Sequence, residues 1–328
     1  PAELRARSRC GAPVSRPGGF SKMPRVTFRI AACKKVRMDL PPPENVAPLT
    51  EPPFILSRPG HQAIPLVFAS PHSGRSYPAD LLRSTRLDPL TLRRSEDSFV
   101  DQIFAAAPDF GAPLLAATFP RVYCDANREP WELDPGMFDE PLPEWVNTAS
   151  PRVGAGLGTI ARVTGTGENV YDRRLRFTEA MDRVQNLWEP YHGALASLIE
   201  ETRHRFGFCL LIDCHSMPSS VPAAGRTDMI LGDAHGTACS PRATRAVEDG
   251  LLSLGYRVRR NDPYAGGYVT RHYGRPRQHV HALQIEISRG LYMDERRITP
   301  LPAMETLRQR MTTLLQRLSE TDWSFLGR

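Results

Sequence analysis

The stretch LLIDCHSMPS, residues 210–219, opens as an apolar run, Leu210-Leu211-Ile212, and passes without a break into Asp213, Cys214 and His215. Consecutive aliphatic residues of this kind read as a strand buried on both faces, as in a parallel sheet covered by helices. Side chains alternate along a strand, so Cys214 turns away from His215, whereas Asp213, two residues before it, shares its face. Ligands of open α/β sheets collect at the carboxyl ends of the strands. An imidazole and an acid at that position therefore point to chemistry at the sheet edge.

The same motif recurs outward from this segment. IPLVFAS (64–70) is a short apolar run that ends in PHSG, and ALQIEIS (282–288) carries Glu286 between apolar neighbours before Arg289-Gly290. Further strands are predicted at 112–119, 228–231 and 256–259. Helices are expected over 87–106, over 171–206 with a break or kink at Pro190, over 240–254 and over 299–318. Strands alternating with helices describe an α/β fold whose largely parallel or mixed central sheet has helices on both faces. The glycines of RVGAGLGTIARVTGTGENVY (152–171) do not fit G-x-x-x-x-G-K-[ST], so this stretch reads as a flexible flap rather than a phosphate loop. No internal repeat interrupts residues 51–328, which are expected to form a single domain.

Charge narrows the function class. The chain of 328 residues has a formal net charge of +6. Residues 1–37 hold ten Lys/Arg against one acid, a net +9 that leaves −3 for the remainder. A nucleic-acid role would rest on that head alone, with no ordered basic and aromatic pattern behind it. Residues 1–50 are expected to be a disordered basic, Pro-rich segment. The basic head is read as sequence upstream of a start at Met38 or Met23, with a targeting segment as the alternative. No run approaches the roughly 20 apolar residues of a membrane helix. The six cysteines form no C-x-x-C pair, a usage that suits a reducing cytoplasm.

Two histidines at strand ends, His72 and His215, with a buried Glu beside a third strand, match the needs of catalytic zinc. That ion takes about three N or O ligands and keeps one position open. Asp213 fits an orienting role behind His215, and Glu286 fits a general base. A buried carboxylate paired with Arg289 or with a backbone amide is the plainer alternative for Glu286. A third ligand should be a carboxylate. Glu96 and Asp97 follow Ser95, a plausible N-cap, and spacing alone does not separate a dipole-complementing acid from a ligand.

PHSG, SEDSFVDQIF, RVYCDANREP, DCHSMPS, GGYVTRHYGRP and ALQIEISRGLYMDE occur in this order from about residue 60 to 300. Together they resemble the N-formylglutamate amidohydrolase family. The resemblance implies a phosphorylase/hydrolase-like α/β fold, a catalytic zinc (or another divalent metal) and hydrolysis of an N-acyl amino acid, with a small molecule as partner. It further implies His72 and His215 as zinc ligands and Glu286 as the base. The wider superfamily places a carboxylate three residues after its first His, where this chain has Arg75 and departs from that pattern. The family's acidic motif before V-D aligns with Asp97, which the resemblance implies as third ligand, with Glu96 as alternative. Asn127-Arg128 is similar to a substrate-carboxylate clamp, and a guanidinium fork grips a carboxylate in two places. Arg121, Arg271 and His272 are further candidates for substrate contact, with Asp213 and Arg289 behind the ligands. Three rival readings remain: a relative acting on another N-acyl amino acid, a binding protein without catalysis, and a nucleophile at Cys214 or Ser216. Oligomeric state is not legible.

Overall fold

The strand that carries the opening stretch sits at the middle of a seven-stranded sheet in the computed structural model, which describes residues 51–221 and 227–327. In chain order the strands are β1 (Phe54–Ser57), β2 (Leu66–Ser70), β3 (Leu114–Ala117), β4 (Cys209–Met217), β5 (Met229–Gly232), β6 (Val258–Arg260) and β7 (Val280–Ser288). Their order across the sheet is β1-β3-β2-β4-β7-β5-β6. Four consecutive strands, β3, β2, β4 and β7, are parallel. β1 is antiparallel to β3 and β5 to β7, so the sheet is mixed. The described residues fall within one compact unit, and the expectations for residues 1–50 lie outside them. No helix among the described residues is long and apolar enough to cross a membrane.

All nine residues of β4 and all nine of β7 are buried, which is why these strands read as continuous apolar runs rather than alternating ones. Leu210, Ile212 and Cys214 join Leu283, Ile285 and Ile287 in one core layer, under the helices Pro241–Ser253 and Ala303–Glu320. Cys209, Leu211, Val280 and Ala282 join the other layer, under the helix Glu189–Phe206. The second set continues along the same face to Asp213, His215, Gln284 and Glu286. One face of two adjacent strands thus turns from apolar to ionisable at its carboxyl end.

Two local expectations are corrected, and a third takes a specific form. The helix expected over 87–106 is broken. Asp88, whose side chain accepts from Leu90 N and Thr91 N, caps a short helix at Pro89–Arg93, and a second short helix spans Val100–Ile103. Between them Phe99 adopts a left-handed φ of 69°, and Asp97 N donates to His72 O at 3.0 Å. The chain leaves helical geometry to bring Asp97 to the end of β2. Ser95 therefore caps no helix; its Oγ accepts from Gly165 N at 2.9 Å and ties the glycine-rich stretch down. The break or kink expected at Pro190 takes the form of a π-helical turn, Val184–Trp188, between Phe177–Arg183 and Glu189–Phe206. A wider turn absorbs the hydrogen bond that proline cannot donate. β1 was missed because its apolar run, Phe54-Ile55-Leu56, is only three residues long and directly follows the Pro-rich lead-in.

Candidate metal centre and active site

His72 lies two residues beyond β2, His215 lies within β4, and Asp97 enters from the broken helix. Each offers one ligand atom, and these atoms lie within 4.8 Å of one another, all three residues buried. Asp97 Oδ2 is 3.4 Å from His72 Nδ1 and 2.9 Å from His215 Nδ1. Donors on a tetrahedral zinc with bonds of about 2.0–2.1 Å are spaced by roughly 3.3 Å, close to both values. His72 Nδ1 is buried without a hydrogen-bond partner, an expensive condition that a cation at this point relieves. Two imidazoles and one carboxylate are the donor set of a catalytic zinc-type site, so the residues present fit such an ion.

The far ring nitrogens are held from behind. His72 Nε2 lies 2.7 Å from Asp125 Oδ1, and the other oxygen of Asp125 accepts from Arg121 Nη2 at 2.8 Å. His215 Nε2 is 3.0 Å from Asp213 Oδ1. That contact has ion-pair distance without hydrogen-bond alignment, since both Asp213 oxygens are otherwise unpartnered. Asn127 Nδ2 approaches the same nitrogen at 3.1 Å. Arg289 donates to Asp97 Oδ1 at 3.0 Å and to Ser216 Oγ at 3.1 Å. Burial opposes charge on Asp97, yet the His215 imidazole hydrogen-bonded to it and the His72 imidazole beside it hold its carboxyl well below the usual range. Burial likewise opposes a cationic His215, but the adjacent Asp213 carboxylate, followed by Asp97, pushes its pKa well above normal. The pocket stabilises positive charge where the three donors meet.

The register of β4 and β7 supplies the next group. His215 pairs with Glu286 and Asp213 with Gln284, so Glu286 flanks His215 on the same face. Gln284 Nε2 donates to Glu286 Oε1 at 2.9 Å, and Gln284 Oε1 accepts from Gly267 N at 2.9 Å. Burial pushes the Glu286 carboxyl up to about 7; His215 opposes this and Asp97 adds to it. The alternative pairing with Arg289 does not occur, because Arg289 is committed to Asp97. Glu96 is likewise committed: it accepts from Tyr77 Oη, Arg93 and Ser98 Oγ, and its carboxylate is not among the converging donors.

Two cavities, of about 460 and 330 Å³, open over this cluster and share Arg121, Arg128, Tyr264 and Glu286 as walls. The glycine-rich stretch walls the larger one through Leu157, Gly158 and Gly165. Arg128 donates to Leu157 O and Asn127 O but has no carboxylate at ion-pair distance among the described residues. Burial lowers its pKa to about 10. Arg121, by contrast, is neutralised by Asp125. The Asn127 amide is occupied by Val269 N and His215. Arg271 is exposed and lines the smaller cavity. His272 lines neither cavity; it stacks on Tyr268 with ring centroids 4.7 Å apart.

Sequence reading missed Asp125 and Gln284. Strand alternation would have found Gln284, two residues before Glu286 on the same face; for Asp125, inside a loop, no periodic signal exists. Cys214 packs in the opposite core layer with its thiol pushed well above its usual pKa by burial, which removes it as a nucleophile beside His215.

Comparison with known proteins agrees with this geometry. The model of the N-formylglutamate amidohydrolase family matches residues 64–293. An N-formylglutamate deformylase of Pseudomonas putida is 30% identical over 265 residues, covering 79% of this chain and 92% of the relative. One from Pseudomonas aeruginosa is 31% identical over 239 residues, 71% and 83% of the two chains. The crystal structure of the N-formylglutamate amidohydrolase of Ralstonia eutropha JMP134 has a TM-score of 0.77 at 38% identity, covering 82% of this chain and 97% of that one. A family match across most of the sheet, with relatives covered nearly end to end, means that this chain is an amidohydrolase and belongs to the N-formylglutamate amidohydrolase family.

Proposed function

We propose that the chain hydrolyses N-formyl-L-glutamate to formate and glutamate, or a closely similar N-acyl amino acid to its acyl carboxylate and the free amino acid, using a divalent cation such as zinc held by His72, Asp97 and His215. The observation that carries this reading is the convergence of those three donors within 4.8 Å, with Glu286 beside His215 in the β4–β7 register. When bound, the cation supplies Lewis acidity to the amide carbonyl and to water.

The chain's own groups do the rest. The Glu286 carboxylate takes a proton from the attacking water and delivers it to the amine nitrogen as the C–N bond breaks. A carboxyl titrating at about 7 suits both halves of that transfer near neutrality. Asp125 and Asp213 orient the two imidazoles, and Arg289 steadies Asp97. Arg128, a part-buried cation with no carboxylate at ion-pair distance among the described residues, offers its guanidinium to one substrate carboxylate. Arg271 and Arg152, on the wall of the smaller cavity, are positioned for the second. The two adjoining cavities, of about 460 and 330 Å³, leave room for an acyl group longer than formyl, which is the second reading.

The test is formate release from N-formyl-L-glutamate, followed together with metal content by elemental analysis before and after chelation. Activity should track the metal. Undiminished turnover by protein stripped of metal overturns the proposal, and turnover confined to N-acetyl or longer substrates selects the second reading.

A further inference from the structure

The segment Ala126–Arg128 belongs to no strand or helix, yet each of its three backbone carbonyls is engaged. His192 Nε2 lies 2.8 Å from Ala126 O. Tyr268 N donates to Asn127 O at 3.3 Å, and Trp188 Nε1 donates to Arg128 O at 3.1 Å. Trp188 and His192 stand four residues apart, where helical side chains meet, and their rings stack with centroids 3.8 Å apart. Trp188 closes the π-helical turn Val184–Trp188, and such turns concentrate at functional sites.

The His192 tautomer follows from its partners. A carbonyl only accepts, so Nε2 carries the proton toward Ala126 O, and Nδ1 accepts from the Tyr273 hydroxyl at 2.9 Å. Burial pushes the His192 pKa down to about 3, so the ring stays neutral and the arrangement persists across the working pH range.

We propose that Trp188 and His192 are positioning residues for substrate binding, which clamp the carbonyls on either side of Asn127 and thereby aim the Arg128 guanidinium into the catalytic cavities. The inference rests on reading Arg128 as the grip on a substrate carboxylate. Neither Trp188 nor His192 lines the two cavities, so both act through the Asn127–Arg128 backbone and not by touching substrate. Arg128 is sensitive to this control because its side chain is itself braced on Leu157 O and Asn127 O. A small rotation of its backbone moves the fork as a unit.

Trp188→Phe keeps the ring and its stack on His192 while deleting one donor. In the metal-loaded enzyme it should raise KM for N-formyl-L-glutamate roughly five- to tenfold, the loss expected of one neutral hydrogen bond, with kcat within about twofold of wild type. Combined with Arg128→Ala, the same change should add less than about twofold, because the group it aims is gone. His192→Gln, which keeps an N–H for Ala126 O, should bind substrate better than His192→Leu. An unchanged KM in Trp188→Phe, a full additive loss in the Arg128→Ala background, or equal KM for the Gln and Leu variants each overturns the proposal. Wild-type protein that releases no formate points instead to failure of the proposed function.

Discussion

Replacing Glu286 by Gln should abolish turnover and, in metal-free protein above neutral pH, raise stability. The carboxyl is 7% exposed, and burial moves it from 4.5 to about 7. The unfolded chain releases this proton near 4.5 while the folded chain keeps it to about 7. Across that window the native state binds more protons, so native stability falls as pH rises from about 4.5 to about 7 and is level above it. At about 1.4 kcal/mol per pH unit, the penalty reaches about 3 kcal/mol. Gln does not titrate, and its amide oxygen still accepts from Gln284, so Glu286→Gln escapes the penalty. Melting curves of chelated wild type and variant, taken at pH 5 and pH 8, should show nearly equal Tm at the lower pH. At pH 8 the variant should melt higher by about 5 °C, at roughly 2 °C per kcal/mol for a protein of this size. Reloaded with metal, the variant should bind the ion as wild type does, yet lose on the order of 100- to 10,000-fold in kcat. A Tm difference independent of pH would refute the buried-carboxyl reasoning, and retained turnover would refute the assignment of the base.

Other outcomes follow from the same geometry. Asp125→Asn removes the charge behind His72 and should weaken metal binding on the order of 10- to 100-fold in a chelator competition; unchanged affinity would mean Asp125 serves Arg121 alone. Arg128→Lys should raise KM on the order of 10- to 100-fold with little change in kcat, because a point charge replaces a two-pronged donor. At Gly267 an added Cβ would lie 2.2 Å from Asn127 Nδ2. Gly267→Ala should therefore displace the Asn127–Arg128 segment and lower kcat/KM on the order of 100-fold, with normal metal content.

The histidines and Glu286 were legible because buried strands advertise themselves as apolar runs, and a polar residue inside or just after such a run stands out. Asp97 and Glu96 were not separable in the sequence. They are neighbours of the same type, and the choice depends on a helix that breaks between Arg93 and Val100 and on which acid Arg93 and Tyr77 neutralise. The Arg candidates likewise looked alike in sequence and differ in the fold by their counter-ions: Arg121 has Asp125, Arg289 has Asp97, and Arg128 has none at ion-pair distance among the described residues.

Local periodicity fixes which way a side chain faces, and it operates over a few residues, so the sequence by itself determined that Asp213 shares a face with His215 and that Cys214 does not. Which strand lies beside β4, and in what register, depends on how separate apolar surfaces pack across the whole sheet. That long-range choice put Glu286 opposite His215 and brought Asp97 to both imidazoles. The chemistry of each residue was written locally, whereas the distances that let the residues act together were set only when the chain closed on itself.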